Sequence, residues 1–477
     1  MNLPDSGMAP DQILEALRSF KSGDADYKGG RIFAYTFFPG DEADAVIKQA
    51  YMLYLDENGL DPTSFPSLVK LETEVVRFVA DLLRGGPDAV GNFTTGGTES
   101  ILLAVKTARD FARAAKPHIT RPEVVFPRTA HCAFYKACEY LGLTPVVADF
   151  DPRTFRADVD SMRSLITDNT ILLMASAPSY AQGVVDPIAE IGQLALEKGL
   201  LFHVDACMGG IMLSFLRQMP GYDIPDFDFS VPGVTSISAD MHKFGYAAKG
   251  ASAVVYRSKA LRRHQIFANT QSTTYALVNA TLLSSKPGGP MAGAWAVSRF
   301  LGRQGYEKMF ESLMQATRTL VQGINATGDL FVLGKPEMCL FSFASDTINV
   351  FQLQDELARR GWYVQPQFST PLSPHNLHIT VTWPNVPNAQ AFVDELPAAI
   401  QAVKDNPAKI DINTVRAQVK AMLDSFGDDA IAQLSAMAGV SGADMPKDMA
   451  LISSILDALP KHMSEALLKD FINDLFV

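Results

Sequence analysis

The stretch Leu200-Leu201-Phe202-His203-Val204-Asp205 is a largely apolar run that ends on a carboxylate. Strands that read as continuous apolar runs are typical of a parallel sheet whose two faces are both buried. Runs of the same kind lie on either side of it, with helical patterns such as 100–115 and 187–198 between them, at residues 124–126, 145–147, 171–174 and 252–256. This alternation predicts a large α/β domain on a mostly parallel sheet.

A different pattern begins near residue 330, where predicted strands at 340–343 and 378–381 flank a helix at 350–361. It predicts a smaller α+β domain. A polar segment at 404–411 marks a boundary, and helical spacing follows at 413–426 and 449–476. The predicted parts are an N-terminal helical or arm segment, a large domain, a small domain and a C-terminal helical extension of undetermined role, with bounds 1–60, 61–320, 321–404 and 405–477.

The composition limits the classes of function. Of the 477 residues, 47% are apolar and 19% charged, which is typical of a folded globular protein. The net charge of −11 argues against a nucleic-acid partner, since such a partner needs clustered cations. Four scattered cysteines suggest neither a disulfide framework nor a metal site, and the N-terminus does not read as a signal peptide. We expect a soluble, cytoplasmic protein without a membrane span.

The first chemical signal is Thr94-Thr95-Gly96-Gly97-Thr98-Glu99-Ser100, which leads into a predicted helix. Glycines let the backbone approach a ligand closely, and a helix start offers unpaired N–H groups and the positive end of the dipole. The hydroxyls of Thr98 and Ser100 can add donors. The segment therefore predicts a phosphate site, although a capped turn before a helix has the same appearance.

The second signal is Asp205 itself, at the carboxyl end of its predicted strand, where parallel sheets bind ligands. A carboxylate there can keep a pyridine nitrogen protonated, because an opposite charge raises that pKa. A protonated pyridine ring is an electron sink. A helix-capping aspartate is the alternative interpretation of Asp205 alone.

The third signal is His242-Lys243, within the segment 236–245, which reads SISADMHKFG. A lysine that acts as an amine nucleophile must be partly desolvated, and small neighbours leave room for a cofactor. His242 can donate to a phosphate. A lone lysine is usually a solvated charge, but the ordered set of phosphate loop, strand-end Asp205 and Lys243 predicts an enzyme that carries pyridoxal 5'-phosphate on Lys243.

The order of the motifs GNFTTGGTES, HCAFYKA, HVDACMGG and SISADMHKFGYAAKGAS strongly resembles sphingosine-1-phosphate lyases. These belong to the pyridoxal-phosphate group that also contains glutamate and aromatic amino-acid decarboxylases. The likeness runs from about residue 30 to 403 and includes FPSLVKLETEVVRF, APSYAQGVVDP, VPGVTSIS and SSKPGG. It implies a fold-type I, aspartate-aminotransferase-like subunit that forms a homodimer with shared active sites.

The resemblance also implies roles at the cofactor. Lys243 would carry it, Asp205 would pair with its ring nitrogen and His131 would stack on the ring. The residues implied to hold the cofactor phosphate are Gly97, Thr98 and His242. The residues implied to lie near the partner subunit's site are Ser284 and Gly288. Without the likeness, His131 would be taken for a polar residue satisfied at a helix start.

Further positions match places where the lyases contact substrate. Tyr35, in FAYTFF, and Lys249, in AAKG, fall where the substrate phosphate is held. Tyr246 and Tyr275 fall on tyrosines of the family, and we assign Tyr246 and Asn58 to substrate binding. Apart from the motifs, Lys249 would be a solvated charge and Tyr35 a surface or core aromatic.

Three positions depart from the lyase pattern. Asp61 stands where the lyases commonly have a histidine, and Gln182 replaces a second histidine. Lys286 replaces an arginine, which keeps the charge but loses the two-pronged guanidinium fork. All three bear on substrate recognition rather than on the cofactor.

The resemblance implies retro-aldol cleavage of a phosphorylated sphingoid base to phosphoethanolamine and a long-chain aldehyde. An amino-acid decarboxylase of the glutamate or aromatic type is the alternative, with Arg31 as a candidate for the substrate carboxylate. A non-catalytic binding protein with the same fold is the second alternative, against which the joint presence of Lys243, Asp205 and His131 argues. We expect no metal.

Overall fold

A computed structural model describes residues 3–273, 276–406, 410–427 and 449–476. Its centre is a seven-stranded sheet in the order β1-β7-β6-β5-β4-β2-β3. Only β7 runs antiparallel to its neighbours, so the sheet is mixed but mostly parallel, as predicted. The strands are β1 Val90–Thr94, β2 Glu123–Pro127, β3 Thr144–Ala148, β4 Thr170–Ser176, β5 Leu201–Asp205, β6 Ser236–Asp240 and β7 Ser252–Tyr256.

The helices of the N-terminal and large parts surround this sheet, apart from the first, which has no buried residue. They are α1 Pro10–Phe20, α2 Asp41–Leu53, α3 Pro66–Leu82, α4 Gly97–Ala115, α5 Ala133–Leu141, α6 Val159–Ser164, α7 Ile188–Lys198, α8 Met212–Leu216, α9 Lys259–Arg262 and α10 Gly288–Ala326. A two-stranded ribbon, β8 Phe267–Asn269 and β9 Leu277–Asn279, precedes α10. The apolar runs of β4 and β5 are buried almost throughout, which is why they read as continuous apolar segments.

The parallel strands bring the chemical motifs to one edge of the sheet. Ser238 of β6 pairs with Asp205 of β5, so the two strands end side by side. Asp240 closes β6 two residues later, and Lys243 follows in the next turn. Strand β6 carries small and hydroxyl residues instead of a run of apolar ones, and all five of its residues are buried.

The smaller part contains a four-stranded antiparallel sheet in the order β10-β11-β13-β12. Its elements are β10 Phe331–Val332, β11 Leu340–Ala344, α11 Val350–Arg359, β12 Gln365–Gln367, β13 Asn376–Thr380 and α12 Ala389–Asp405. The N-terminal segment joins this sheet, because Phe33 N donates to Tyr363 O at 3.1 Å and Phe33 O accepts from Thr380 N at 2.9 Å. This connection brings Tyr35 close to the small sheet.

The C-terminal helices are α13 Ile412–Phe426, α14 Ala450–Ala458 and α15 Lys461–Leu475. The helical spacing over 449–476 belongs to two helices, because the first ends before Leu459 and Pro460. Proline lacks an N–H and disfavours a helical residue before it, and Leu459 is extended with ψ 149°. Apolar side chains hold the helices together, namely Val415, Val419, Ile455, Leu459 and Met463.

Within the described ranges, each helix is too short or too polar to cross a bilayer.

Candidate active site

Lys243 lies just beyond the end of β6, with its Nζ 2.9 Å from Asp240 Oδ2. Burial alone would lower the pKa of Lys243, but the adjacent Asp240 carboxylate outweighs it and raises that pKa above its ordinary value. Burial would raise the pKa of Asp240, and the Lys243 charge instead lowers it. Without a bound cofactor, the two groups therefore form a buried ammonium–carboxylate pair.

Asp205 is fixed by a hydrogen-bond network beneath the site. Its Oδ1 accepts from Cys207 N at 3.0 Å and from Ser238 Oγ at 3.3 Å. Ser238 Oγ also lies 3.2 Å from Nε2 of His203, whose Nδ1 bonds Ser236 Oγ at 2.9 Å. Burial lowers the pKa of His203 to about 4, so this imidazole is neutral near pH 7. Among the described residues, Asp205 Oδ2 has no hydrogen-bond partner and remains available to a ligand.

The predicted phosphate loop forms the start of α4 at Gly97. A Cβ at Gly97 would lie 2.7 Å from Cys207 Sγ and 2.9 Å from Asp240 Oδ2, so only glycine fits there. Thr98 is exposed in the first turn and can face a phosphate. The prediction for Ser100 is wrong: its buried hydroxyl bonds Thr94 Oγ1 at 2.6 Å and Ser252 Oγ at 2.9 Å, which ties α4 to the sheet.

His242 is oriented by its own backbone surroundings. Its Nδ1 accepts from Ala251 N at 3.1 Å, which places the proton of the neutral ring on Nε2. Nε2 lies 3.6 Å from Asp240 Oδ2, and Cε1 would lie 3.3 Å from a Cβ on Gly96. Burial lowers the pKa of His242, so a neutral Nε2–H donor points toward the start of α4.

His131 precedes α5, and its Nδ1 accepts from Ala133 N at 3.2 Å. Cys132 Sγ lies 4.0 Å from the same nitrogen. Contact with Cys132 and the charge of Asp205 raise the pKa of His131, while burial and the charge of Lys243 oppose the rise. The backbone N–H of Ala133 thus holds the imidazole at the start of α5.

The structure brings together the two residues predicted to hold the substrate phosphate. Lys249 Nζ donates to Tyr35 O at 2.9 Å, and the Tyr35 hydroxyl lies 2.5 Å from that of Tyr363. Tyr35 has φ 63°, a left-handed conformation that is uncommon for a bulky residue. Burial and the charge of Lys243 lower the pKa of Lys249, so these two cations lie close together.

Tyr180 is a site residue that the sequence reasoning did not single out, although it lies within the quoted motif APSYAQGVVDP. Its hydroxyl donates to Gln365 Oε1 at 2.7 Å, and its ring centroid lies 4.3 Å from that of His378. Burial raises the pKa of Tyr180, and the charge of Lys243 acts in the opposite direction. A hydroxyl held by the small sheet thus stands near Lys243.

Tyr246 and Asn58 do not face this cleft within one chain. Tyr246 is 1% exposed with φ 58°, and its ring stacks on Tyr306, which leaves no ring surface for a substrate. Asn58 Oδ1 accepts from Leu60 N at 3.0 Å and Lys286 N at 3.2 Å, so it joins two loops of its own chain. Tyr275 lies outside the described residues.

Ser284 lies in the loop that leads into α10, and Gly288 is the first residue of that helix. Ser284 is exposed and lines a cavity of about 480 Å³ together with Glu72. Gly288 is buried, and a Cβ there would lie 2.9 Å from Leu68 and 3.1 Å from Tyr54 O. Close packing within its own chain therefore requires glycine at 288, whereas Ser284 is free to face another subunit.

Asp61 and Lys286 have defined partners, whereas the buried Oε1 of Gln182 has no hydrogen-bond partner among the described residues. Asp61 accepts from Thr63 N at 2.8 Å and shapes its own turn. Lys286 Nζ pairs with Glu72 Oε2 at 2.8 Å. Gln182 is 5% exposed.

Arg31 bonds Arg360 O at 2.7 Å and Glu395 Oε1 at 3.1 Å, and its guanidinium lies 4.4 Å from the Trp362 ring centroid. Both terminal nitrogens of the Arg31 guanidinium are therefore already hydrogen-bonded. The prediction that it could receive a substrate carboxylate is therefore wrong for this conformation.

The residues fit pyridoxal phosphate. The free Oδ2 of Asp205 offers a carboxylate for a ring nitrogen, and glycine at position 97 lets the start of α4 approach Cys207 and Asp240 closely. The Nε2–H of His242 and the N–H groups at the start of α4 supply donors for a phosphate. Lys243 stands between these two ends.

Comparisons with known proteins give the same assignment. The profile of the pyridoxal-dependent decarboxylase conserved domain matches residues 31–345. A second profile, the C-terminal putative HTH domain of pyridoxal-dependent enzymes, matches residues 413–474. The first match covers more than half of the chain and includes Lys243, Asp205 and His131.

Similar proteins are found among curated sequences and solved structures. The sphingosine-1-phosphate lyase of Arabidopsis thaliana is 40% identical over 86% of this chain and 75% of its own. The structure of the Burkholderia pseudomallei sphingosine-1-phosphate lyase aligns with a TM-score of 0.81 at 35% identity, covering 90% of this chain and 97% of that one. A probable L-aspartate decarboxylase of Pyrococcus furiosus is 32% identical over 76% of this chain and 94% of its own.

Proposed function

The chain belongs to the sphingosine-1-phosphate lyase family of pyridoxal-phosphate enzymes, and we propose that it cleaves a phosphorylated sphingoid base to phosphoethanolamine and a long-chain aldehyde. The family membership carries the carbon–carbon lyase chemistry and the cofactor. The identity of the substrate rests on one feature of the site: Lys249 and Tyr35 form a cationic, hydroxyl-bearing place beside Lys243, suited to a phosphate group.

Pyridoxal phosphate, when bound, supplies an electron sink that accepts the electron pair of the breaking C2–C3 bond. Asp205 would keep the proton on the ring nitrogen through Oδ2, because Cys207 N and Ser238 Oγ already hold Oδ1. His131 would cover the ring and limit the access of water to it. Asp205 and His131 would thereby favour movement of the C2–C3 bonding electrons into the ring.

Orientation decides which bond breaks, since the bond must stand perpendicular to the ring plane. Lys249 and Tyr35 bind the phosphate at C1 and so turn the C2–C3 bond into that position. Tyr180, whose hydroxyl donates to Gln365 Oε1, would orient the 3-hydroxyl by accepting a hydrogen bond from it. The amine of Lys243, free once the substrate has replaced it, would take the proton of the 3-hydroxyl and return it to C2, with Asp240 stabilising the ammonium in between.

An amino-acid decarboxylase remains the alternative, favoured by the 32% identity to a probable L-aspartate decarboxylase. A carboxylate substrate needs a cation that is free to pair with it. Arg31 is occupied by Glu395 and Arg360 O, whereas Lys249 donates to the backbone carbonyl of Tyr35, which a phosphate can replace, and lies 5.2 Å from the Phe37 ring centroid. This difference between two cations favours the phosphate substrate.

The test incubates the purified protein, loaded with pyridoxal phosphate, with dihydrosphingosine 1-phosphate and separately with each of the twenty amino acids. We expect a long-chain aldehyde from the first and no carbon dioxide from the others. Release of carbon dioxide from an amino acid, without aldehyde from the lipid, would replace the lyase by a decarboxylase.

The Lys243→Ala variant is the control for catalysis as such. It should lose both turnover and the yellow absorbance of the lysine-bound cofactor. A wild-type protein that stays colourless after reconstitution would instead indicate a non-catalytic relative.

We further propose a cytoplasmic homodimer with shared active sites, and no nucleic-acid partner. The exposed Ser284 and the four free cysteines support the dimer and the reducing compartment, respectively. The net charge of −11 supports the absence of a nucleic-acid partner. Light scattering tests the dimer, cell fractionation tests the location, and a binding titration with DNA tests the absence of a nucleic-acid partner.

A further inference from the structure

The C-terminal module, which we define as α13, α14 and α15, takes no part in the chemistry described above. It has its own small core around Val419 and Ile455. Asp355 of α11 accepts hydrogen bonds from Met449 N at 2.9 Å and Ala450 N at 3.0 Å at the start of α14, which anchors the module to the small sheet's helix. A second anchor joins the module to a loop of the small domain.

The second anchor is a cluster of three residues that we call the latch, formed by Ser369, Arg416 and Asp457. Asp457, fully buried in α14, accepts from Ser369 N, and its Oδ2 accepts from Ser369 Oγ at 2.9 Å. Arg416 of α13 donates to Asp457 Oδ2 at 2.8 Å and to Ser369 Oγ at 3.1 Å. Two of the module's three helices, α13 and α14, therefore hold one residue of the small domain through charged hydrogen bonds.

Ser369 lies two residues beyond β12, in the loop that joins β12 to β13. The same two strands carry the residues that hold Tyr180: Gln365 accepts the Tyr180 hydroxyl, and His378 stacks on its ring. Gln365 and His378 are paired across the strands. The ribbon β12–β13 thus has the latch at its loop and the active-site tyrosine at its far end.

The ribbon also fixes the backbone next to Tyr180. His378 Nδ1 lies 2.9 Å from Ala181 O, and Ser342 of the neighbouring strand donates to the same carbonyl. Burial lowers the pKa of His378 to about 4, so the ring is neutral and donates through Nδ1 while Nε2 accepts from Thr380 Oγ1 at 2.8 Å. A displacement of β12–β13 would therefore shift both the hydroxyl and the backbone of the Tyr180 loop.

We propose that the C-terminal module positions the active site through the latch, with Asp457 as a positioning residue for Tyr180. The inference rests on the proposed function, since it assigns the module a part in the same reaction. A fully buried carboxylate with three donors holds those donors in place, because a displacement that broke the bonds would leave the charge unpaired. Sub-ångström placement of reacting groups is what catalysis requires.

The test compares the full-length, cofactor-loaded wild type with Asp457→Ala by amide hydrogen exchange, without substrate. We expect faster exchange in peptides covering 365–381 and also in those covering 177–186, which include Tyr180. In turnover of dihydrosphingosine 1-phosphate, kcat should fall about 10- to 100-fold, the usual effect of a misplaced reacting group, with the KM little changed.

Lys420→Ala is the matched control. Lys420 is exposed and lies one turn after Arg416 on α13, in a cavity that the three latch residues also line. It makes no hydrogen bond or ion pair with the described residues. It should change neither the exchange rates nor kcat. An Asp457→Ala protein whose faster exchange is confined to the module, with kcat within about twofold of the wild type, would overturn the proposal.

Ser369→Ala decides the question if Asp457→Ala does not fold. It removes the contacts of one hydroxyl with Asp457 and Arg416 and keeps the backbone bond. Exchange at 177–186 should still rise, and an unchanged rate there would contradict the proposal. Because exchange needs no substrate, a failure of the latch and a failure of the lyase assignment are told apart: the first leaves 177–186 unchanged, the second leaves the lipid uncleaved.

Discussion

Lys243 must act as a neutral amine when it attaches the cofactor, yet Asp240 stabilises its ammonium form. At pH values below the pKa of Lys243, the neutral fraction of this lysine grows tenfold for each unit by which the pH rises. Attachment of pyridoxal phosphate to the empty protein should therefore become faster as the pH rises. The carboxylate of Asp240 keeps the resting Lys243 protonated and in place, and it thereby slows attachment of the cofactor at neutral pH.

Asp240→Asn should shift that pH dependence downward. Removing the anion leaves burial as the dominant effect, and burial lowers the pKa of Lys243, so the neutral amine appears at lower pH. We expect the midpoint of the attachment rate, followed by the absorbance of the lysine-bound cofactor, to fall by about one pH unit or more. Asp151→Asn, which alters a carboxylate in an exposed turn, should leave the profile unchanged. A midpoint that does not move would show that Asp240 does not control the charge of Lys243.

Lys249→Ala should separate phosphate recognition from chemistry. A hydrogen bond to a charged group contributes about 1.5–3 kcal/mol, which corresponds to a rise in KM of about 10- to 150-fold for the phosphorylated base. Cofactor affinity should stay unchanged, because Lys249 bonds Tyr35 O rather than the phosphate loop. Competition by inorganic phosphate provides the second measurement: it should inhibit the wild type and lose potency in the variant. Equal KM values for the two proteins would place the substrate phosphate elsewhere.

At the scale of elements, the start of α4 depends on the absence of a side chain. Gly97→Ala would put a methyl group 2.7 Å from Cys207 Sγ and 2.9 Å from Asp240 Oδ2. Such overpacking costs about 1–3 kcal/mol, and here it acts on the wall of the cofactor site. We expect weaker binding of pyridoxal phosphate in a fluorescence titration. Gly293→Ala in α10, whose Cβ would meet Ile47 at an ordinary 3.4 Å, should bind the cofactor like the wild type. Equal affinity of all three proteins would exclude Gly97 from the cofactor site.

The elements that sequence reasoning located are those whose pattern is set by burial. Strands β2, β4 and β5 read as apolar runs because both faces of the sheet are covered, and the structure has them within a residue or two of the prediction. Strand β6 was seen only as a motif, since its alternating small and hydroxyl side chains make room for the site and bond Asp205 and His203. The break at Pro460 had a local signal that helical spacing over 449–476 concealed.

The parts of the site that could not be predicted depend on contacts distant in sequence. Motif order brought Lys243, Asp205 and the start of α4 together, because parallel strands end at one edge. Tyr180 needed Gln365 and His378, which lie almost 200 residues away. The loss of Arg31 as a carboxylate receptor likewise followed from Glu395 and not from its neighbours in sequence.

At the scale of the whole molecule, the segment 284–288 carries an exposed serine next to a lysine that is paired within its own chain. Lys286 pairs with Glu72 of α3, and Ser284 is exposed beside that pair at the rim of a cavity. If two chains share their active sites, this exposed rim is where a second chain would be reached. If the sites are shared, each working site therefore needs residues from two chains.

Mixing two inactive variants tests the sharing. Lys243→Ala removes the cofactor lysine, and Ser284→Glu sets a negative charge against the phosphate end of the neighbouring site. In a hybrid dimer, one site carries both lesions, and the other has the intact Lys243 of one chain and the intact Ser284 of the other. Random mixing makes about half of the dimers hybrids with one working site each, so about a quarter of the wild-type activity should return. Hybrids isolated through two different tags that remain inactive would show that each site is complete within its own chain, as would a Ser284→Glu protein that is fully active alone.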